Sequence, residues 1–237
     1  MHENHPVPDY NLTMPKALTY PLPGFAASLI FAAILYVLFV QSFPRTTGLA
    51  IGFTILAGGA YAALCLFVRR FTDLERRLAA RDRLLEAIPW RGDETVLDVG
   101  CGNGILILGA AKRLTSGQAT GIDIWTGFSG DQQVELFRKN ALAEGVADRA
   151  VLKNQDVRKM PFEDGAFDVI VSGLTMHHIG RDAPDALFEM VRVLKPGGRM
   201  AIYDVSFAVK QSKKIMRQLG LTIEMDADDM VIGVKGF

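Results

Sequence analysis

The stretch Val96-Leu-Asp-Val-Gly-Cys-Gly-Asn-Gly104 has the residue types to hold a ligand through its backbone. A β-branched run ends in three alternating glycines, Gly100, Gly102 and Gly104, and an apolar helical pattern follows. Glycines let the backbone approach a ligand closely, and a helix start aims N–H groups at it. The spacing reads GxGxG, whereas a dinucleotide fingerprint reads GxGxxG. Three acids extend the pattern. Asp98 stands inside the strand just before the loop, where a carboxylate suits a cationic ammonium. Asp123 ends the next apolar run, 19 residues past Gly104, in position to accept from both ribose hydroxyls. Asp156 follows a third run, where an acceptor can meet an adenine amino group. A nicotinamide cofactor needs pyrophosphate at the loop and has no use for Asp98, yet it stays an alternative.

Further chemistry comes from His177 and His178, which follow a fourth apolar run. An imidazole titrating near neutral pH can take a proton from a phenol or enol. Contact with substrate and a purely structural role are the other readings of this pair. His2 and His5 lie in a polar, proline-containing start and read as exposed. No CxxC, HExxH or carboxylate cluster marks a metal site. The two cysteines, Cys65 and Cys101, sit in unrelated segments and are not expected to pair, which fits a reducing compartment.

Strands and helices must alternate to present these residues together. Thr95–Val99, Ala119–Ile124, Ala150–Lys153 and Phe167–Ser172 read as strands, and Ile105–Arg113 and Asp131–Glu144 as helices between them. Asp182 is placed to cap a helix with Leu187, Met190, Val191 and Leu194 on one face. Lys195–Gly198 reads as a turn into a strand over Arg199–Val205. A helix over Val209–Leu219 then leads to strands Leu221–Met225 and Met230–Lys235. The alternation implies an α/β fold with a mostly parallel sheet covered by helices on both faces.

The glycine loop, Asp123, Asp156, Met160–Ile170 and Val193–Gly198 resemble the class I S-adenosylmethionine-dependent methyltransferases. They are most similar to the ubiquinone/menaquinone-biosynthesis type. The resemblance runs from about Leu84 to the C-terminus. It implies a Rossmann-like, seven-stranded sheet whose last strand is antiparallel, and S-adenosylmethionine as cofactor. By the same resemblance, Gly100, Cys101, Gly102 and Gly104 cradle the methionine part and Asp98 binds its ammonium. Asp123 takes the ribose and Ile124 lies beside the adenine. Asp156 reaches the adenine amino group with Val157 at its flank, and Ser172 lies near the sulfonium. The bland readings are that Cys101 is a small buried filler and that Asp98 holds the loop amides.

The rest of the chain differs in kind. All 237 residues balance 26 Lys+Arg against 26 Asp+Glu, which excludes a strongly basic nucleic-acid binder. Residues 17–68 carry one of those charges, Arg45. Residues 23–43 and 48–68 are uncharged stretches of 21 residues apart from their shared link, about 31 Å as helices and enough to cross a bilayer. Small residues four apart, such as Gly48 and Gly52, would let two such helices approach closely. Arg69, Arg70, Arg76, Arg77, Arg81 and Arg83 follow at once and place that side in the cytoplasm by the positive-inside rule. Arg45 is the weak counter-signal.

The expected organisation is therefore a polar segment 1–22, a transmembrane hairpin 23–68, an amphipathic connecting helix 69–90 and a catalytic domain 91–237. The expected function is a membrane-anchored methyltransferase with a lipophilic small-molecule acceptor and membrane lipids as partners. The alternatives are a nicotinamide-dependent oxidoreductase and a non-enzymatic cofactor-binding membrane module.

Overall fold

The computed structural model describes residues 8–10, 30, 34, 52, 56–64, 74–125 and 127–237. They divide into two compact units, Asn11–Arg77 and a second made of Met1–Tyr10 with Leu78–Phe237. In the first unit, residues 56–64 are helical and Leu56 and Leu64 are exposed. Among the described residues no helix is long and apolar enough to cross a membrane. The two spans expected at 23–43 and 48–68 lie largely outside the described residues.

The second unit is built on a seven-stranded sheet in the order β3-β2-β1-β4-β5-β7-β6. The strands are β1 Thr95–Val99, β2 Gln118–Asp123, β3 Ala150–Asn154, β4 Phe167–Gly173, β5 Leu194–Tyr203, β6 Leu221–Asp226 and β7 Met230–Lys235. β1 to β5 pair in parallel, and β7 runs antiparallel to both β5 and β6. This is the Rossmann-like arrangement the resemblance implies. The central strands β1 and β4 are buried almost throughout, because helices cover both faces of a parallel sheet. Edge strand β6 instead alternates exposed positions with buried or half-buried ones.

The helices are α1 Leu74–Glu86, α2 Ile105–Ala111, α3 Gly127–Ala143, α4 Met176–Ile179, α5 Ala183–Val193 and α6 Ser206–Gln218. The connecting helix is described from Leu74, and its Leu84, Leu85 and the following Ile88 are buried. α2 is buried on all sides from Leu106 to Ala111, as its uniformly apolar sequence requires. α5 buries Leu187, Met190 and Val191, the face expected of it.

Two local expectations shift. Lys195–Gly198 is a bulge inside β5 rather than a turn before it. Pairing with β4 moves from Phe167↔Leu194 to Val169↔Arg199, so two steps on β4 match five on β5. Asp182 does precede α5, yet its carboxylate makes no capping bond. It accepts from Arg158 instead, at 2.7 Å.

The order β2-β1-β4-β5 reverses direction between β1 and β4. In such sheets the crevice beyond the strand C-termini at that reversal is the place for a ligand.

Candidate functional site

The loop from β1 to α2 fills one side of that crevice. The Gly100 and Cys101 N–H groups both donate to the Ile122 carbonyl, at 2.8 and 3.1 Å, which pins the loop to β2. Gly104 caps α2 at φ 91, in the left-handed region that favours glycine. A Cβ there would lie 2.6 Å from the Phe137 ring, so α2 and α3 approach this closely only without a side chain. A Cβ at Gly102 would meet nothing within 4 Å, which leaves the middle of the loop open for a ligand.

Asp98 is 1% exposed. Its Oδ2 accepts from the Ile107 N–H at 2.9 Å, while its Oδ1 is buried with no donor among the described residues. Burial pushes its pKa up to about 8, against the Ile107 bond and helped by the Asp123 charge. A carboxylate oxygen held dry beside the loop, without a donor, fits a bound ammonium group. The residues present therefore suit the methionine end of the expected cofactor.

Asp123 closes the turn from the other strand. Its Oδ2 accepts from the Gly102 N–H at 2.8 Å and its Oδ1 from the Ile124 N–H at 2.7 Å. Each oxygen keeps a second lone pair for a hydroxyl. Gly100, Asp123, Ile124, Asp156 and Val157 line one cavity of about 440 Å³, together with Val99, Thr175 and His178. Five of the expected cofactor residues thus share one wall.

The others stand apart from that wall. A Cβ at Gly121 would lie 2.7 Å from the Cys101 sulfur, so this buried thiol fills the space over β2. Burial, with Asp98 and Asp123 nearby, pushes its pKa up and makes it inert. Ser172 is fully buried, and its hydroxyl donates to the Val99 carbonyl at 2.9 Å, a tie between β4 and β1. Asp156 is already engaged. The Arg158 Nε lies 3.0 Å from each of its oxygens, and another Arg158 nitrogen bridges to Asp182. The guanidinium holds the Asp156 pKa below the usual carboxylate range. An adenine amino group would share that carboxylate with Arg158.

The opposite side of the crevice follows β4. Leu174 sits at φ 54, a strained value for a bulky residue, and its N–H donates to the Tyr203 carbonyl at 2.8 Å. The turn brings Thr175 and His178 to the cavity. His177 contacts Asp204 through Nδ1, 2.6 Å from Oδ1. Asp204, 2% exposed, also accepts from the His177 N–H at 3.2 Å and the Val205 N–H at 2.7 Å. The two imidazole rings lie 3.9 Å apart. Burial lowers the His178 pKa and the neighbouring His177 adds to this, so His178 is neutral at neutral pH.

Sequence reasoning did not single out Asp204, Arg158, Thr175 or Leu174. Asp204 carried a usable signal. It is an acid at or just past the end of an apolar strand, as Asp123 and Asp156 are. Among the described residues no group of three or more His, Cys, Asp or Glu is placed to hold a metal ion.

Known proteins agree with this geometry. Residues 96–198 match the family model described as a methyltransferase domain. The 27-O-demethylrifamycin SV methyltransferase of Amycolatopsis mediterranei is 35% identical over 123 residues, 52% of this chain and 43% of that protein. The demethylmenaquinone methyltransferase of Symbiobacterium thermophilum is 34% identical over 118 residues, 49% of this chain and 45% of that protein. The chain thus spans less than half the length of either relative. In structure, a SAM-dependent methyltransferase from Aquifex aeolicus superposes with TM-score 0.53 at 20% identity, covering 65% of this chain and 87% of that one. The nicotinamide alternative gives way to these matches. Residues 96–198 form a class I S-adenosylmethionine-dependent methyltransferase domain, with S-adenosylmethionine as its cofactor.

Proposed function

We propose that the whole chain is a membrane-anchored methyltransferase, facing the cytoplasm, that methylates a lipophilic small molecule such as a quinone precursor, an isoprenoid or a lipid. The observation that carries this reading is the attachment of two uncharged 21-residue stretches to a methyltransferase domain. The basic run from Arg69 to Arg83 supports the cytoplasmic side. Tyr10 and Leu78 belong to one compact unit. A chain that crosses a bilayer after Tyr10 must therefore cross back before Leu78, which supports an even number of spans. A relative named for demethylmenaquinone supports a quinone precursor as the first acceptor class to try.

In this reading the cofactor supplies an electrophilic methyl group on a sulfonium, and the chain's residues align it. The unpartnered Asp98 oxygen binds the methionine ammonium. Asp123 receives the ribose hydroxyls, and Ile124 and Val157 flank the adenine. Asp156, shared with Arg158, accepts from the adenine amino group. Cys101 and Ser172 act through packing and the strand tie. Alignment for in-line displacement supplies most of the rate. His178 takes the proton of an acidic acceptor hydroxyl, since it is neutral and lines the cavity. His177, held by Asp204, supports the His178 ring from behind.

The test is full-length protein in lipid vesicles with methyl-labelled cofactor and a membrane lipid extract. Label in a lipid-soluble product is expected. Label only in water-soluble acceptors would overturn the lipophilic substrate. Binding of S-adenosylhomocysteine with no transfer to any acceptor would favour the non-enzymatic module.

A further inference from the structure

The apolar segment is preceded by three described residues, Pro8, Asp9 and Tyr10, that belong to the catalytic unit. Tyr10 is 2% exposed, and its hydroxyl donates to Glu144 Oε1 at 2.8 Å. Asp9 donates its backbone N–H to Asn140 Oδ1 at 2.7 Å and accepts from Asn140 Nδ2 at 2.8 Å through its carbonyl. This pair of bonds is strand-like in form, but its partner is a side chain on α3.

Asn140 is itself 1% exposed. The same Nδ2 donates to the carbonyl of Asn103, inside the glycine loop, at 3.2 Å. One turn earlier, Phe137 packs against the Cα of Gly104, where a Cβ would come within 2.6 Å of its ring. Phe137, Asn140 and Glu144 are spaced three and four apart, so Phe137 and Asn140 on α3 and Glu144 in the turn that ends it lie on one side. Glu144 completes the set by pairing with Lys112, which caps the far end of α2. α3 thus holds the helix of the cofactor loop at both ends, and residues 9–10 hold α3 at the same two side chains. Burial works against the Glu144 charge, but the Lys112 and Tyr10 bonds outweigh it and hold its pKa low.

We infer that the N-terminal segment is a clasp that positions the glycine loop, with Asn140 and Glu144 as its positioning residues. The bonds are directed at the loop backbone, so their loss loosens the cradle rather than the sheet. The inference rests on the S-adenosylmethionine reading for its consequence, and on hydrogen bonds alone for its mechanics.

The experiment uses the full chain with Tyr10→Phe, Tyr10→Ala and Asn140→Ala. Amide hydrogen exchange is followed without ligand, and S-adenosylhomocysteine affinity is measured by calorimetry. Faster exchange at residues 102–106, with β4 and β5 unchanged, is expected in all three. Affinity is expected to fall about fivefold for Tyr10→Phe and about tenfold for Asn140→Ala, the size expected from losing one or two hydrogen bonds. The Tyr10→Ala and Asn140→Ala effects should be less than additive, because both break one chain of contacts. Unchanged loop exchange in the Tyr10 variants would overturn the clasp, whatever the ligand does. A loosened loop in a parent protein that binds no S-adenosylhomocysteine would support the clasp and overturn the cofactor reading. A lowered melting temperature with loop exchange and affinity unchanged would reduce residues 8–10 to packing.

Discussion

The two sides of the crevice are built by different means. On the side of β1, β2 and β3, the polar groups lie at the C-terminal ends of their strands or in the turns just after them. Gly102 and Ile124 donate to Asp123 from neighbouring turns, and Asp98 meets Ile107 at the start of the next helix. On the side of β4 and β5, position depends on partners far along the chain. His177 is fixed by Asp204, 27 residues later, and Leu174 is held in a strained turn by Tyr203. The first side is a cradle in which backbone N–H groups hold the carboxylates. The second is a tertiary assembly that can vary while the cradle stays, which fits one cofactor and many acceptors.

The division makes separable predictions, one side acting through binding and the other through turnover. The largest effect is expected from His178→Ala. Loss of a general base should lower kcat by about 100-fold or more for an acidic acceptor, with S-adenosylhomocysteine affinity changed little. Steady-state kinetics beside calorimetry checks this. If the variant loses affinity as strongly as a cradle variant, the two sides are one site. Asp123→Ala should do the reverse and weaken S-adenosylhomocysteine about 100-fold, through loss of charge-assisted bonds and of the Gly102 tie. Thermal shift with NAD in parallel should show no stabilisation of the parent protein.

Asp98→Asn should weaken the same ligand by about tenfold or more and also change the pH response, since it removes a charge paired with an ammonium. The folded pKa of Asp98, about 8, lies above the unfolded value near 3.9. Its contribution to stability is therefore complete below about pH 4 and is lost as pH rises toward 8. The ligand-free parent should lose stability over that window relative to Asp98→Asn, and saturating S-adenosylhomocysteine should narrow the gap. Chemical denaturation at several pH values decides it. Equal slopes in both proteins would sink the assignment of Asp98 as the ammonium site.

Asp204→Asn should have a smaller effect, about tenfold in kcat, because it acts on His178 only through His177. Its signature is a changed pH–rate profile, which a packing defect alone would not produce. The smallest change is expected at Leu174→Gly. It relieves the φ 54 strain, about 1 kcal/mol, but loosens the unfolded chain by a similar amount. Melting temperature should shift little, while a large drop would mean that the Leu174 side chain matters more than its backbone.

The residues that could be read directly were those whose role is local. The apolar runs of β1 and β4, the glycine loop, and the acids ending β2 and β3 all act within a few residues of their own strand. Periodicity and turn chemistry carry that information along the chain. The same local logic separated residues 17–68, with Arg45 as their one charge, from the domain. What folding alone decided is which distant groups meet. Asp204 with His177, Arg158 between Asp156 and Asp182, Ser172 turned to Val99, and Asn140 between Asp9 and Asn103 all join separated elements. Asp204, Ser172 and Asn140 are buried polar side chains that must find a partner once they leave water, and sheet order and helix packing determine which partner is in reach.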